Sequence, residues 1–180
     1  MDDIVKKVLY SEEDIQAKTK ELGEIITRDY KGKDLLVICV LKGAVMFVTD
    51  LIKRIDLPLE IDFMAVSSYG NSTVSSGIVR ILKDLDKEIC GKHLLIVEDI
   101  IDTGLTLSYL IENLKARNPA SVSICTLLDK PGNRKADIDI KYTGFDCPDE
   151  FVVGYGLDYA EKYRNIPFIF ILKEEVYQNK

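Results

Sequence analysis

The chain has 180 residues, of which 47% are hydrophobic and 30% are charged. This length and balance favour one globular domain and exclude a disordered chain or one that needs a disulfide or a metal to fold. The 24 basic and 30 acidic side chains give a formal net charge of −6, which argues against non-specific binding to nucleic acid or to an anionic membrane.

Neither the start of the chain nor its apolar runs predict a membrane segment. The first charged residues are acidic, so no secretory signal is expected. The longest apolar run, residues 35–41, is seven residues long, whereas a membrane span needs about 20. The cysteines, Cys39, Cys90, Cys125 and Cys147, include no Cys-x-x-Cys pair. We therefore expect reduced thiols in a cytoplasmic protein.

Helical and strand-like patterns alternate along the chain. A helix is predicted over residues 11–29, where Ser11 and Asp14 form a variant capping box, and helical spacing returns over residues 43–55 and 103–117. The predicted strands are residues 35–41, 59–66, 78–82, 94–97, 122–128, 151–153 and 168–172. This alternation predicts an α/β fold, a mostly parallel twisted sheet with helices on both faces, whose ligands gather at the carboxyl ends of strands.

The stretch LLIVEDIIDTGLT, residues 94–106, has the layout of a phosphate-binding loop. A predicted strand leads into Glu98 and Asp99, and Asp102 and Gly104 precede a helix whose N-terminus favours an anion. The adjacent carboxylates suit sugar hydroxyls or Mg²⁺, so the pattern describes a ribose 5-phosphate site. The alternative is that Asp102 is only an N-cap and that the acidic pair lies in a solvated loop.

Residues 97–107, VEDIIDTGLTL, resemble the phosphoribosyl pyrophosphate signature of the type I phosphoribosyltransferases. The similarity is greatest to the hypoxanthine-guanine branch of this family, and it extends from the helix near Ser11 to the last predicted strand. The resemblance implies the fold of that family, with a small hood formed by the chain ends. It also implies one domain over residues 1–180, with a flexible lid at about 67–77.

The resemblance assigns three groups of residues to the site. The phosphoribosyl group would contact Glu98, Asp99, Asp102, Thr103, Gly104, Leu105 and Thr106. Pyrophosphate would contact Lys42, Gly43, Ser68, Tyr69 and Arg164. The purine base would contact Ile100, Lys130, Phe151, Val152 and Asp158. The implied cofactor is Mg²⁺, with candidate ligands Glu98, Asp99 and Asp158.

The pyrophosphate assignments agree with elementary chemistry. Gly43 at a helix start beside Lys42 makes a small anion site, and the guanidinium fork of Arg164 suits pyrophosphate. The family often has a non-proline cis peptide before this lysine, which would be Leu41–Lys42. Without the resemblance, Lys42 would be a surface lysine and residues 67–77 a mobile surface loop.

The base assignments predict selectivity. Lys130 would donate a hydrogen bond to the 6-oxo group of hypoxanthine or guanine, which the 6-amino group of adenine cannot accept. Phe151 and Ile100 would stack on opposite faces of the purine. The ordinary alternatives are a solvated lysine and two core side chains.

The resemblance therefore implies an enzyme of purine salvage. It would transfer a 5-phosphoribosyl group from phosphoribosyl pyrophosphate to N9 of hypoxanthine, and of guanine, giving IMP or GMP and pyrophosphate. Asp102 would accept a proton from the purine. We expect small-molecule substrates, no nucleic-acid or membrane partner, and a homodimer or homotetramer.

The same residues disfavour two other functions. A nucleic-acid-binding regulator of similar fold is disfavoured by Asp102 and by the acidic net charge. A carboxylate-nucleophile phosphatase needs Asp-x-Asp-x-Thr, but Asp99, Asp102 and Thr103 have a different spacing. Leu105 departs from the family, because some relatives carry lysine there. Phosphate binding would then depend on amides and hydroxyls.

Overall fold

The structure is a computed structural model, and it describes residues 3–68 and 79–177. Tyr69 and residues 70–77 of the predicted lid lie outside this range, and only the backbone of Ser68 is described. The described elements, in chain order, are β1 (Val5–Tyr10), α1 (Glu12–Asp29), β2 (Leu35–Leu41), α2 (Val45–Ile52), β3 (Glu60–Ser68), β4 (Val79–Lys83), β5 (His93–Ile101), α3 (Leu105–Lys115), β6 (Ser121–Asp129), a 3-10 turn (Pro131–Asn133), β7 (Tyr142–Asp146), β8 (Val152–Val153), β9 (Ile169–Leu172) and α4 (Glu174–Tyr177).

A six-stranded sheet with the order β4-β3-β2-β5-β6-β7 forms the centre of the molecule. Its neighbouring strands are parallel except for the antiparallel pair β3 and β4. One core cluster joins α1 and α2 to one face of the sheet, and a second joins α3 to the other. The predicted α/β fold with helices on both faces is therefore confirmed.

Helix α1 begins where its sequence predicts. The Ser11 hydroxyl accepts a hydrogen bond from the Asp14 amide at 3.1 Å, and the Asp14 carboxylate accepts one from the Ser11 amide at 3.0 Å. The capping box is thus confirmed, and it satisfies amides that the first helical turn leaves unpaired. The helically spaced Ile15, Leu22 and Ile26 are buried in the core.

The chain ends form a second, three-stranded antiparallel sheet with the order β1-β9-β8. Val5 lies opposite Leu172 in β1 and β9, and Val152 of β8 lies opposite Ile171. The predicted hood is therefore confirmed. The sequence did not predict β1, because Lys6 and its neighbour interrupt the alternation of apolar residues and the pairing with β9 has register shifts.

Strand β5 is longer than predicted, which corrects the position of the acidic pair. The strand continues past Val97 to Ile101, so Glu98 and Asp99 lie within it and not in a solvated loop. Successive side chains of a strand point to opposite faces. The two carboxylates are therefore adjacent in sequence but separated by the sheet.

The other boundaries differ by a few residues. Helix α3 begins at Leu105, two residues later than predicted, because Gly104 adopts a left-handed φ of 76°. Cys39, Cys125 and Cys147 are buried and Cys90 is exposed, all as free thiols. Burial raises the pKa of Cys39 to about 12, which keeps this thiol protonated. Among the described helices, none combines the length and apolar character of a membrane span.

Candidate active site

The carboxyl ends of three neighbouring parallel strands bring distant segments together. Strands β2, β5 and β6 lie side by side in the central sheet, and they end next to Lys42, Asp102 and Lys130. The carboxyl edge of such a sheet is where its ligands commonly bind. The topology therefore gathers residues from each of the three predicted groups.

The loop after β5 presents backbone amides to a pocket of about 200 Å³. No side chain caps α3 at Gly104, so the amides of its first turn carry the partial positive charge of the helix end. The pocket is lined by Glu98, Ile100, Ile101, Asp102, Thr103, Gly104, Thr106 and Leu107. This set contains every predicted phosphoribosyl residue except Asp99 and Leu105. We call it the phosphate pocket.

Arg134 holds this loop, a role that sequence reasoning missed. Its Nε donates to the backbone carbonyl of Asp102 at 2.9 Å, and its guanidinium also donates to the Asp129 carboxylate. Asp129 directly precedes Lys130, so one side chain connects the ends of β5 and β6. In the sequence, Arg134 is only one more basic residue in a loop, and no motif marks it.

The segment after Lys130 also fixes the position of Gly104. The amides of Lys135 and Ala136 donate to the Thr103 carbonyl at 2.9 and 3.1 Å. A Cβ at Gly104 would lie 2.9 Å from Cδ1 of Ile138. Gly104 is therefore required both for its left-handed φ and for close packing.

Asp102 lies where the phosphate pocket adjoins a second pocket. It lines both, and its Oδ1 is buried with no hydrogen-bond partner. A buried polar atom without a partner costs about 1–3 kcal/mol, so such atoms in native proteins commonly serve a function. This carboxylate oxygen is therefore available to a ligand that spans the two pockets.

The second pocket, of about 320 Å³, contains all of the predicted base residues. It is lined by Asp99, Ile100, Asp102, Lys130, Glu150, Phe151, Val152, Leu157 and Asp158. The Lys130 Nζ donates to the Glu150 carbonyl at 3.2 Å and lies 3.1 Å from the Asp149 carboxylate. Phe151 is 40% exposed, an unusual position for a core phenylalanine. We call this cavity the base pocket.

The two carboxylates of β5 face different pockets, and both have raised pKa values. Glu98 lines the phosphate pocket, and Asp99 lines the base pocket. Burial raises the pKa of Glu98 well above its ordinary value, and the charge of Asp99 adds to this effect. Burial also raises the pKa of Asp99 to about 6, against the lowering effect of backbone hydrogen bonds and of Arg164. A cation bound nearby would favour the ionised forms of both.

Gly43 lies in close contact with two other predicted loops. A Cβ at Gly43 would lie 1.7 Å from Oδ2 of Asp99, and a Cβ at Gly156 would lie 2.0 Å from the Gly43 carbonyl oxygen. The peptide bond before Lys42, Leu41–Lys42, is cis, as the family resemblance implied. The absence of a side chain at Gly43 therefore lets the segment after β2 reach the end of β5.

Lys42 and Arg164 lie outside the two pockets and are paired with carboxylates. The Lys42 Nζ is 2.7 Å from Oε2 of Glu161, and Nη2 of Arg164 is 2.8 Å from Oδ1 of Asp158. Arg164 also donates from Nη1 to the Gly156 carbonyl at 2.7 Å, while its buried Nε has no partner. The sequence did not single out Glu161, which lies between the two cations.

Similar proteins share nearly the whole of this chain. The model of the family described as phosphoribosyl transferase domain matches residues 7–160. The hypoxanthine-guanine phosphoribosyltransferase of Bacillus subtilis is 61% identical over 175 residues, which cover 97% of each chain. That of Mycobacterium bovis is 57% identical over 180 residues, covering 97% of this chain and 89% of the relative.

A solved structure agrees with the fold as closely. The hypoxanthine phosphoribosyltransferase of Staphylococcus aureus superposes with a TM-score of 0.97 at 57% identity, covering 99% of this chain and 97% of the other. Sequence and structure thus match along the same residues that build the two pockets. The chain belongs to the phosphoribosyl transferase domain family.

Proposed function

We propose that the protein is a hypoxanthine-guanine phosphoribosyltransferase of purine salvage. It transfers the 5-phosphoribosyl group of phosphoribosyl pyrophosphate to N9 of hypoxanthine or guanine, and releases pyrophosphate with IMP or GMP. The names of its relatives support this activity. The observation that carries it for this chain is the unpartnered Oδ1 of Asp102, which lies where an anion pocket and a base pocket adjoin.

The phosphate pocket suits the 5-phosphate of the donor. The amides of the uncapped α3 terminus and the hydroxyls of Thr103 and Thr106 supply hydrogen-bond donors. Leu105 adds no cation, so the phosphate is held by amides and hydroxyls. Glu98 lines this pocket and would bind the ribose hydroxyls directly, whereas Asp99 would approach the ribose from the adjoining base pocket.

The base pocket suits a 6-oxopurine. Lys130 donates from Nζ, and it can exchange its contact with the Glu150 carbonyl for the oxygen at C6. Phe151 and Ile100 offer apolar surfaces for the ring, and Val152 and Asp158 contact the edge of the base. Adenine leaves the Lys130 donor without an acceptor, which lowers its affinity.

Asp102 is the catalytic residue in this proposal. Its Oδ1 is buried without a partner and is free to take a proton from the purine while N9 attacks the anomeric carbon. Positive charge develops on the ribose as the bond to pyrophosphate breaks. Lys42, Gly43 and Arg164, with Ser68 and Tyr69, stabilise the leaving group by charge and hydrogen bonds.

The acidic residues fit Mg²⁺ bound together with a substrate. Within residues 3–68 and 79–177, no three His, Cys, Asp or Glu side chains converge as a metal cluster. Proteins commonly hold Mg²⁺ by one or two carboxylates plus substrate phosphates and water. Glu98 and Asp99 are candidates whose raised pKa values a cation would reverse. When bound, Mg²⁺ would neutralise charge on the pyrophosphate.

Asp158 is the third candidate ligand for Mg²⁺. One of its carboxylate oxygens already pairs with Arg164, and the other accepts the amide of Glu161 at 2.8 Å. It would therefore bind the metal only by sharing or exchanging these partners. This makes Glu98 and Asp99 the stronger candidates.

A product assay tests the function directly. The chain, the ribosyl donor and Mg²⁺ are mixed with hypoxanthine, guanine, xanthine or adenine, and nucleotide and pyrophosphate are quantified. We expect IMP and GMP with equal amounts of pyrophosphate, and little product from adenine. No nucleotide from any base would reject the proposal.

The sequence also leads to expectations about an alternative function, domain organisation, location and oligomeric state. The alternative, a nucleic-acid-binding regulator of the same fold, gains no support from the relatives named above, and a gel-shift assay at physiological salt checks it. A single domain over residues 1–180 with a lid at 67–77, a cytoplasmic location and a homodimer or homotetramer stay predictions. Light scattering of the purified chain measures the oligomeric state.

A further inference from the structure

Glu161 lies between the two cations that the proposed function assigns to pyrophosphate. Its Oε2 is 2.7 Å from Nζ of Lys42, and its Oε1 is 3.4 Å from Nη2 of Arg164. Lys42 and Glu161 are 119 positions apart in the chain, so the tertiary fold creates this contact. One carboxylate thus bridges two cationic side chains that come from distant segments of the chain.

The turn that carries Glu161 has an unfavourable sequence for its backbone. Tyr159 and Lys162 exchange backbone hydrogen bonds of 3.2 and 3.0 Å around Ala160 and Glu161. These two central residues have positive φ values of 51° and 62°. That geometry is a type I′ turn, which favours Asn-Gly and disfavours residues with larger side chains. Such residues in left-handed conformations cluster at functional sites.

Asp158 fixes the direction in which this turn faces. Its Oδ2 accepts the Glu161 amide at 2.8 Å, and its Oδ1 pairs with Arg164 at 2.8 Å. The exposed Glu161 carboxylate is ionised at neutral pH like any surface glutamate, and it lies 2.7 Å from Nζ of Lys42. The turn therefore presents a permanent negative charge to Lys42 and Arg164.

We infer that Glu161 is an internal substitute for pyrophosphate, which pairs with Lys42 and Arg164 until the donor displaces it. This inference rests on the proposed function, which assigns both cations to pyrophosphate. The Lys42 and Glu161 side chains are 67% and 66% exposed, so their ion pair is weak and readily exchanged. A pyrophosphate group carries more charge than one carboxylate and can replace it at both cations.

Binding of inorganic pyrophosphate tests this inference. The full chain and its Glu161→Gln variant are titrated calorimetrically with pyrophosphate in excess Mg²⁺. We expect the variant to bind pyrophosphate about two- to fivefold more tightly, because an exposed competing ion pair is lost. Glu21→Gln is the matched control, since Glu21 lies 2.7 Å from Lys18 in another exposed pair. Its pyrophosphate affinity should equal that of the unaltered chain.

A second variant separates the charge from the shape of the turn. Glu161→Asn removes the carboxylate and supplies a residue that tolerates positive φ. We expect it to bind pyrophosphate at least as tightly as Glu161→Gln, without a lower Tm. Equal or weaker binding by both variants than by the unaltered chain would overturn the inference, because Glu161 would then not compete with the ligand.

Nucleotide synthesis is measured on the same samples, so that failure of this inference can be distinguished from failure of the proposed function. Tighter pyrophosphate binding by the variants, with no nucleotide formed by any chain, would retain the competition by Glu161 and reject the proposed reaction. Nucleotide formation with unchanged pyrophosphate affinity would support the proposed reaction and reject competition by Glu161.

Discussion

The two sides of the site differ in whether their polar groups already have partners. After β5, the α3 terminus has no side-chain cap at Gly104 and only a long contact of 3.5 Å from the Leu105 amide to the Thr103 hydroxyl. On the same side, Oδ1 of Asp102 is buried without a hydrogen bond. Across the site, Lys42 and Arg164 are each paired with a carboxylate of residues 158–164, and only Nε of Arg164 is left without a partner in this pair of cations. A ligand would therefore form new hydrogen bonds on the first side and exchange old ones on the second.

The difference indicates where binding energy and catalysis originate. New hydrogen bonds to charged groups contribute about 1.5–3 kcal/mol each, whereas exchange of an exposed ion pair contributes about 1 kcal/mol or less. The side formed by the end of β5 should therefore dominate chemistry and affinity. The side that contains Glu161 should adjust the affinity for pyrophosphate.

The largest effect is expected from Asp102→Asn, which removes the unpartnered carboxylate. We expect turnover with hypoxanthine to fall about 10²- to 10⁴-fold, because the proton acceptor is lost while the phosphate amides remain. Steady-state measurement of kcat and KM checks this. Asp56→Asn, at an exposed position, is the control. Unchanged turnover in Asp102→Asn would remove Asp102 from the chemistry.

Asp99 lies where the two sides meet, and its titration makes stability depend on pH. Its pKa rises from 3.8 to about 6 on folding, so its stabilising contribution is full below pH 3.8 and is lost as pH rises through 6. We expect Asp99→Asn to be more stable than the unaltered chain at pH 7 by up to about 3 kcal/mol. At pH 4 the difference should nearly vanish. Urea unfolding without Mg²⁺ measures both, and equal differences at the two pH values would contradict the raised pKa.

Lys130→Ala removes a side chain that has protein partners and yet lies in the base pocket. We expect kcat/KM for hypoxanthine to fall about 10- to 100-fold through loss of a charged hydrogen bond to the base. The low activity with adenine should change little. The exposed Lys135→Ala is the control. An equal proportional loss with both bases would contradict the role of Lys130 in selectivity.

Gly43→Ala tests the contact that joins the two sides. Its Cβ would overlap the Asp99 carboxylate, so we expect the free energy of unfolding to fall by about 1–3 kcal/mol and the Tm by a few degrees. Gly132→Ala is a matched control, because nothing lies within 4 Å of its Cβ position. Thermal unfolding compares the two, and equal Tm values would show that the loops separate easily.

Much of the fold and part of the site could be predicted from local patterns. The capping box at Ser11 and the apolar run of β2 depend on nearby residues, and both elements formed where predicted. Strand β7 was missed because it is short and contains Gly144, so its identity depends on pairing with β6. The end of β5 was placed too early, since Glu98 and Asp99 are polar residues inside a strand.

Local sequence patterns predicted the α/β class, a loop with Asp102 and Gly104 that suits an anion, and polar residues that follow strands. These follow from side-chain periodicity and from backbone preferences that act over a few residues. The packing of distant segments places Glu98 and Asp99 in different pockets and pairs Glu161 with Lys42. Those contacts join residues on opposite faces of a strand or on distant segments, and only the packed fold defines their distances.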